Sequence, residues 1–205
     1  RKDVELSLVG IVSGETRPLT SYRNINFIEE VAKRNRSRHV QFLEYSLSRH
    51  PKRYRMFVFN TGERVEIQDI RETSKSLHRN LSRIAKEMRD SWNVDLVFRS
   101  TEYGSMRKRG GEPTFHPHAH CLVNTPHMGS DQYGKFIEWM NKRWRSLNNM
   151  SPDQSWNPFN DSGKIRNVRE VCKYMVKCSD LLGLETSQLV EFYRQTRKRQ
   201  LVQFL

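Results

Sequence analysis

The most informative stretch of the chain reads Phe115-His116-Pro117-His118-Ala119-His120-Cys121-Leu122-Val123. Its composition is largely apolar, and its three histidines occupy alternate positions, which share one face in a β-strand. Two imidazoles on one strand face can reach the same metal ion and leave other coordination positions free, as in catalytic metal sites. The stretch therefore predicts a strand that contributes to a metal site. The alternatives are a histidine-rich edge strand, or one buried histidine with two solvated neighbours.

A second apolar stretch, residues 94–102, precedes the histidine strand, and a basic loop with glycines, residues 104–113, separates the two. Neighbouring strands of this kind predict an antiparallel hairpin with a long, positively charged tip. Hydrophobic periodicity predicts further strands at residues 4–8 and 55–61, a loop at 148–163, and helices at 25–34, 37–48, 71–90, 133–147, 167–182 and 187–204. This order predicts an α+β fold, in which a central antiparallel sheet of about five strands is flanked by helices.

Glu102 ends the first strand of the hairpin, and antiparallel pairing would bring its carboxylate beside His118 or His120. Two imidazoles and a carboxylate suit Mn²⁺ or Mg²⁺ and also Zn²⁺ or Fe²⁺, so the ligand set leaves the metal undecided. The metal-binding motif of cupin-type oxygenases also begins with His-x-His, but that motif has a glutamate a few residues later, and this chain has none there. The alternative for Glu102 is an exposed carboxylate near basic loop residues.

The chain is strongly basic, with 36 Lys and Arg residues against 23 Asp and Glu and a formal net charge of +13. Such a charge attracts phosphate backbones or anionic membranes regardless of sequence. The cations are spread along the chain, which favours a folded surface that binds nucleic acid over a basic tail, and a merely basic protein is the alternative. No apolar run approaches the roughly 20 residues that span a bilayer. The cysteines indicate a reducing compartment: Cys121, Cys172 and Cys178.

One predicted helix places four polar side chains on a single narrow face: Glu170, Lys173, Tyr174 and Lys177. A phenol, with a pKa of about 10, is a weak nucleophile at neutral pH unless cations or a base assist it. Lys173 and Lys177 could supply the positive charge, and Glu170 lies one helical turn from Tyr174. The alternative is a capped helix start, with Glu170 in the capping box, that carries an ordinary surface tyrosine.

Together these segments resemble the HUH endonucleases, in particular the replication initiators of small rolling-circle plasmids. Four elements follow the family's order: Met56-Phe57-Val58-Phe59-Asn60-Thr61, Arg99-Ser100-Thr101-Glu102-Tyr103, His116-Pro117-His118-Ala119-His120, and the helix with Tyr174 and Lys177. The resemblance extends over residues 55–205 and leaves the first 50 residues unmatched.

The resemblance implies that His118 and His120 bind a divalent cation, Mn²⁺ or Mg²⁺, with Glu102 as the third ligand. His116 precedes the motif and is the doubtful member of the three histidines.

The resemblance also implies the catalytic residues. Tyr174 would attack a phosphate of single-stranded DNA and form a 5′-phosphotyrosine, and Lys177 would hold the tyrosinate or the phosphate. Glu170 would activate water for a second cleavage, because the motif has one tyrosine.

The partners implied are single-stranded or hairpin origin DNA, a host helicase and a polymerase, in the cytoplasm of a prokaryotic host, with no membrane partner. We expect the following cations to bind the DNA: Arg107, Lys108, Arg109 and Lys173. Residues 1–52 are predicted to pack on the main domain and to recognise DNA, and residues 53–205 to form the nicking domain. Two rival functions stay open, namely an HUH-type transposase and a non-catalytic nucleic-acid-binding module.

Overall fold

The structure, a computed structural model, describes residues 7–9, 16–18, 29–49, 54–151, 165, 181, 183–197, 199 and 201–204. In chain order its strands and helices are β1 (Ser7–Val9), β2 (Thr16–Pro18), α1 (Glu29–Arg49), β3 (Tyr54–Asn60), β4 (Val65–Glu66), α2 (Ile70–Trp92), β5 (Asp95–Glu102), β6 (Arg107–Arg109), β7 (Glu112–Phe115), β8 (His118–Asn124), α3 (Ser130–Leu147), α4 (Thr186–Thr196) and β9 (Val202–Phe204). None of the described helices is long and apolar enough to cross a membrane.

The central sheet has four antiparallel strands in the order β3-β8-β5-β9 within the described residues. β8 carries the histidines and pairs with β3 on one side and β5 on the other. The α+β fold and the hairpin of β5 with β8 are therefore confirmed. The edge-strand alternative is wrong, because β8 is paired along both sides. The hairpin tip and β4 form a second sheet, in the order β4-β7-β6, and β1 pairs with β2.

One face of the central sheet packs against α2 and α3 and forms the main core. Both helices present apolar residues at helical spacing, as an amphipathic helix does when one stripe faces a sheet. The fully buried side chains of this core include Phe57, Phe59, Leu77, Leu81, Ile84, Met88, Phe136, Met140 and Trp144. The Trp144 indole N–H also donates to the carbonyl of Asn60 at 2.8 Å, which ties α3 to the end of β3.

The opposite face of the sheet carries α1. Three residues of α1 pack against three of the sheet in one buried cluster: Val40, Leu43, Leu47, Met56, Phe98 and Leu122. The same sheet face continues along β8 to His120 and then His118, because alternate strand residues share a face. The helix and the histidines therefore belong to the same side of the sheet.

Three details differ from the prediction. The two helices expected at 25–34 and 37–48 are one helix, α1, because the polar residues between them include no proline or glycine to interrupt it. The helix expected at 187–204 ends at Thr196, and β9 follows as an edge strand that pairs with β5. Within the described residues the central sheet has four strands, where about five were expected, and β1 pairs with β2 outside it. The loop predicted at 148–163 and the helix at 167–182 lie almost entirely outside the described residues.

Candidate metal centre

Pairing of β5 with β8 brings together the three predicted metal ligands. Glu102 lies directly opposite His118, and His120 is the next β8 residue on that face. Oε2 of Glu102 is 3.5 Å from Nε2 of His118 and 3.4 Å from Nε2 of His120. One ligand atom from each of the three residues lies within 4.8 Å of the other two. This group could hold a metal ion.

A β-bulge in β5 puts Glu102 on the histidine face. The register against β8 shifts by one residue between Leu96 and Phe98, so Val97 is an extra residue in β5. Because successive strand residues alternate between the two faces, one extra residue exchanges the faces for the rest of the strand. If Val97 instead took a regular place in the pairing with β8, Thr101 would face the histidines and Glu102 would point toward the core under α2 and α3. The bulge therefore completes the cluster.

The backbone around β8 orients the His118 ring. Its Nδ1 lies 2.8 Å from the carbonyl oxygen of His116. A carbonyl only accepts hydrogen bonds, so Nδ1 carries the proton and Nε2 keeps a lone pair for a metal. The His116 amide donates to the Tyr103 carbonyl at 2.8 Å, which holds this segment in place. The backbone at Gly104 lies close to the same ring: a Cβ there would be 3.1 Å from the His116 carbonyl oxygen and 3.5 Å from Cε1 of His118.

Glu102 is 4% exposed, so its charge is largely removed from solvent. Burial raises the pKa of Glu102, but the imidazoles of His118 and His120 together outweigh it and the net shift is downward. Glu102 is therefore ionised at neutral pH. Among the described residues Oε2 makes no hydrogen bond of regular geometry, and its two imidazole contacts, at 3.4 and 3.5 Å, are longer than the usual 2.7–2.9 Å or so of a charge-assisted bond. A buried carboxylate oxygen beside two imidazole nitrogens suits a cation ligand.

His116 lies outside this three-residue group. Burial is the largest cause that lowers its pKa to about 4, and His118, Arg64 and Arg107 lower it further. The His116 imidazole is therefore neutral at physiological pH. Its structural contribution to the centre is the backbone carbonyl that orients His118.

The tip of the β5–β8 hairpin forms a basic arm, defined as β6, the Gly110–Gly111 turn and β7. Both glycines have positive φ, 60° and 89°, as a tight two-residue turn between strands requires. The arm connects the strand that ends at Glu102 to the strand that begins at His118, so it extends from the end of the sheet that carries these two residues. The three predicted DNA-binding cations of β6 are all exposed: Arg107, Lys108 and Arg109.

Arg64 anchors the basic arm to the rest of the protein. Its guanidinium donates to the carbonyls of Ser105 and Thr114 at 2.6 and 2.7 Å, and to the Thr114 hydroxyl at 3.2 Å. Burial is the main cause that lowers the Arg64 pKa, and Arg107 lowers it further. These bonds join the segment just before the arm to its last strand, β7, through one side chain.

The other predicted site residues, Glu170, Lys173, Tyr174 and Lys177, lie outside the described residues, so their roles stay predictions. The sequence pattern did not single out Val97, Gly104 or Arg64. Gly104 had a recognisable signal, since a glycine just after a strand often marks a positive φ. The apolar run at Leu96-Val97-Phe98 fits either register, so it does not reveal the bulge.

A family model described as "Replication protein" matches residues 29–204, which include α1, the group of Glu102, His118 and His120, and the basic arm. No curated protein and no solved structure matched the chain.

Proposed function

This chain belongs to the replication protein family, and from that premise we propose that it initiates rolling-circle replication by nicking single-stranded DNA. The observation that carries the proposal is the buried group of Glu102, His118 and His120 at one end of the central sheet. Structural stability alone does not explain an ionised, buried carboxylate next to two imidazoles, since such groups are costly to bury. A site for a divalent cation explains it.

In this proposal Glu102, His118 and His120 hold Mn²⁺ or Mg²⁺. The bound cation would supply positive charge to the scissile phosphate and its developing oxygen charge. The three exposed cations of β6 would hold the DNA backbone near the end of the sheet that carries Glu102, His118 and His120. Their contribution to DNA affinity would grow with the number of phosphates they neutralise.

Tyr174 is the proposed nucleophile. Its phenolic oxygen forms a bond to phosphorus while the bond from phosphorus to the 3′ oxygen of the preceding nucleotide breaks. The phenol loses its proton and the departing 3′ oxygen takes one up, so the products are a 5′-phosphotyrosyl enzyme and a free 3′-hydroxyl. Lys177 and Lys173 would stabilise the negative charge, and Glu170 would activate water for a later cleavage.

Origin DNA would be single-stranded or a hairpin, and a host helicase and polymerase would continue synthesis from the 3′-hydroxyl in the cytoplasm of a prokaryote. Residues 53–205 would form the nicking domain and residues 1–52 would contribute DNA recognition. A transposase with the same chemistry would instead rejoin the bound 5′ end to a second DNA molecule, which a two-oligonucleotide transfer assay detects.

The test is formation of a covalent adduct between the protein and labelled single-stranded oligonucleotides in Mn²⁺ or Mg²⁺. We expect an adduct stable to denaturing gels in the wild type, none in Tyr174→Phe, and an unchanged yield in Tyr193→Phe, the matched control. A broad oligonucleotide pool that gives no adduct while DNA binding is intact would favour the non-catalytic binding module.

A separate variant tests His120 as a metal ligand. His120→Ala should abolish adduct formation and Mn²⁺ binding measured by calorimetry while DNA binding persists. His127→Ala, which replaces an exposed histidine beyond β8, should leave both unchanged. Normal cleavage in His120→Ala would contradict the metal site.

A further inference from the structure

Helix α1 has two opposite faces from residue 37 onward. Its apolar side chains, Val40, Leu43 and Leu47, are buried against the sheet. At about 100° per residue, four other residues fall within an arc of roughly 60° on the side opposite to that buried face. We call them the outer stripe: Arg38, Phe42, Tyr45 and Arg49.

The outer stripe exposes two aromatic rings to solvent. Phe42 is 54% exposed and Tyr45 is 60% exposed, the two largest exposures among the large hydrophobic side chains described. Phe42 packs edge-to-face with Phe204, with ring centroids 4.5 Å apart, which anchors one side of the Phe42 ring. The Arg49 guanidinium lies 4.9 Å from the centroid of the Tyr45 ring. A cation over one face of Tyr45 orients the ring and leaves its exposed surface for another partner.

We propose that the outer stripe is a stacking surface for single-stranded DNA. Bases would stack on Tyr45 and Phe42, and phosphates would contact Arg38 and Arg49. This inference rests on the proposed function for its choice of nucleic acid. Two aromatic rings flanked by a cation on each side fit a strand that presents both phosphates and base faces. A purely apolar protein partner would have to bury the guanidinium groups without acceptors.

Single-stranded DNA fits better than duplex for a geometric reason. The faces of bases in a duplex are covered by their neighbours, so an exposed ring on a helix can stack only on an unpaired base. A duplex would be held by the arginines alone, through its phosphates.

The position of α1 agrees with this use. α1 packs over Met56 and Leu122, and Leu122 is next to His120 on the same face of β8. A strand bound along α1 would therefore lie on the side of the sheet that carries the metal ligands.

The first test measures binding of a fluorescent single-stranded oligonucleotide by anisotropy in EDTA, where no metal chemistry takes place. Tyr45→Ala should weaken binding roughly 5- to 100-fold, the loss of about one stacked base, and Tyr45→Trp should restore it. Tyr193→Ala removes an exposed tyrosine from α4 and should have no effect. Because Tyr45 is exposed, its removal should leave the thermal unfolding midpoint unchanged.

The second test separates stacking from charge. With the same oligonucleotide as a duplex, Tyr45→Ala should bind like the wild type. Arg38→Ala should reduce the slope of log K against log salt by about 0.7 on the single strand, and Arg79→Ala, an exposed arginine on α2, should not. Wild-type affinity of Tyr45→Ala for the single strand, or an equal loss on the duplex, would overturn the inference.

These outcomes are independent of nicking. A protein that forms no DNA adduct but loses affinity in Tyr45→Ala retains the stacking surface and loses the proposed function. A protein that nicks and binds normally in Tyr45→Ala retains the function and loses the stacking surface.

Discussion

At Gly104 the backbone turns with a φ of +67° directly beside the imidazole of His118. Gly104→Ala would strain the backbone by about 1–2 kcal/mol, because side chains disfavour this region. It would also press a Cβ against the His116 carbonyl and the His118 ring. We expect Mn²⁺ affinity to fall about 10-fold or more, as for other lost orienting contacts at metal ligands. Isothermal titration calorimetry measures this change.

Gly110 provides a matched control for that variant. Its φ is +60°, and a Cβ there would meet nothing within 4 Å. Gly110→Ala should therefore show a similar loss of stability in urea unfolding and normal Mn²⁺ affinity. Equal Mn²⁺ affinities in the two variants would mean that Gly104 does not position His118.

At the level of elements, the bulge in β5 accommodates Val97 outside the regular pairing and so keeps Glu102 opposite His118. Deletion of Val97 should join Leu96 to Phe98 in an uninterrupted register that preserves the later pairs, including Glu102 with His118. The deletion variant should therefore bind Mn²⁺ like the wild type, as followed by electron paramagnetic resonance. Val97→Ala keeps the extra residue and should bind Mn²⁺ like the wild type.

Glu102→Gln provides the contrasting variant. It should abolish the Mn²⁺ signal both with and without Val97, because the same carboxylate faces His118 in both backgrounds. A folded deletion variant that binds no Mn²⁺ would show that the bulge itself, and not the register after Phe98, positions Glu102.

The cations of the basic arm should contribute to the salt dependence of DNA binding. Simultaneous alanine substitution of Arg107, Lys108 and Arg109 should lower the slope of log K against log salt for single-stranded DNA by about 2, at about 0.7 per phosphate contact. The control replaces three exposed cations of α2, Arg79, Arg83 and Lys86, which removes the same charge. Equal slopes for the two triple variants would mean that only net charge matters.

Over the whole molecule, local patterns predicted more than long-range ones. His118 and His120 could be assigned to one strand face because a period of two residues is a local property. Glu102 could be paired with them because a hairpin joins neighbours in sequence. Strand β9 could not be predicted, because it forms by pairing with β5, which is far away in sequence. Next to this pairing, the Thr101 amide donates to the Leu201 carbonyl at 2.7 Å, a contact across a hundred residues of chain.

The same contrast applies to the helices. α2 and α3 were predicted close to their observed bounds because their apolar stripes are regular. The division of α1 was wrong because a polar segment was taken for a break, although no residue in it opposes a helix.

Stability of the whole molecule should depend on pH through His78. This histidine of α2 faces β5, with Nε2 2.8 Å from the Thr101 hydroxyl oxygen. Burial is the largest cause that lowers its pKa from 6.5 to about 4, and Arg99 and Arg199 lower it further. Below pH 6.5 the unfolded chain therefore binds a proton that the folded chain excludes, so stability is complete above that pH and is lost as the pH falls toward 4.

The full shift corresponds to at most about 3 kcal/mol, and His116, whose pKa is also lowered to about 4, acts in the same direction. His78→Gln should therefore reduce, and not abolish, the loss in free energy of unfolding between about pH 7 and pH 4.5, measured by urea in EDTA. His127→Gln replaces an exposed histidine and should keep the wild-type slope. A wild-type slope in His78→Gln would mean that acid destabilises the protein elsewhere than at the packing of α2 on the sheet.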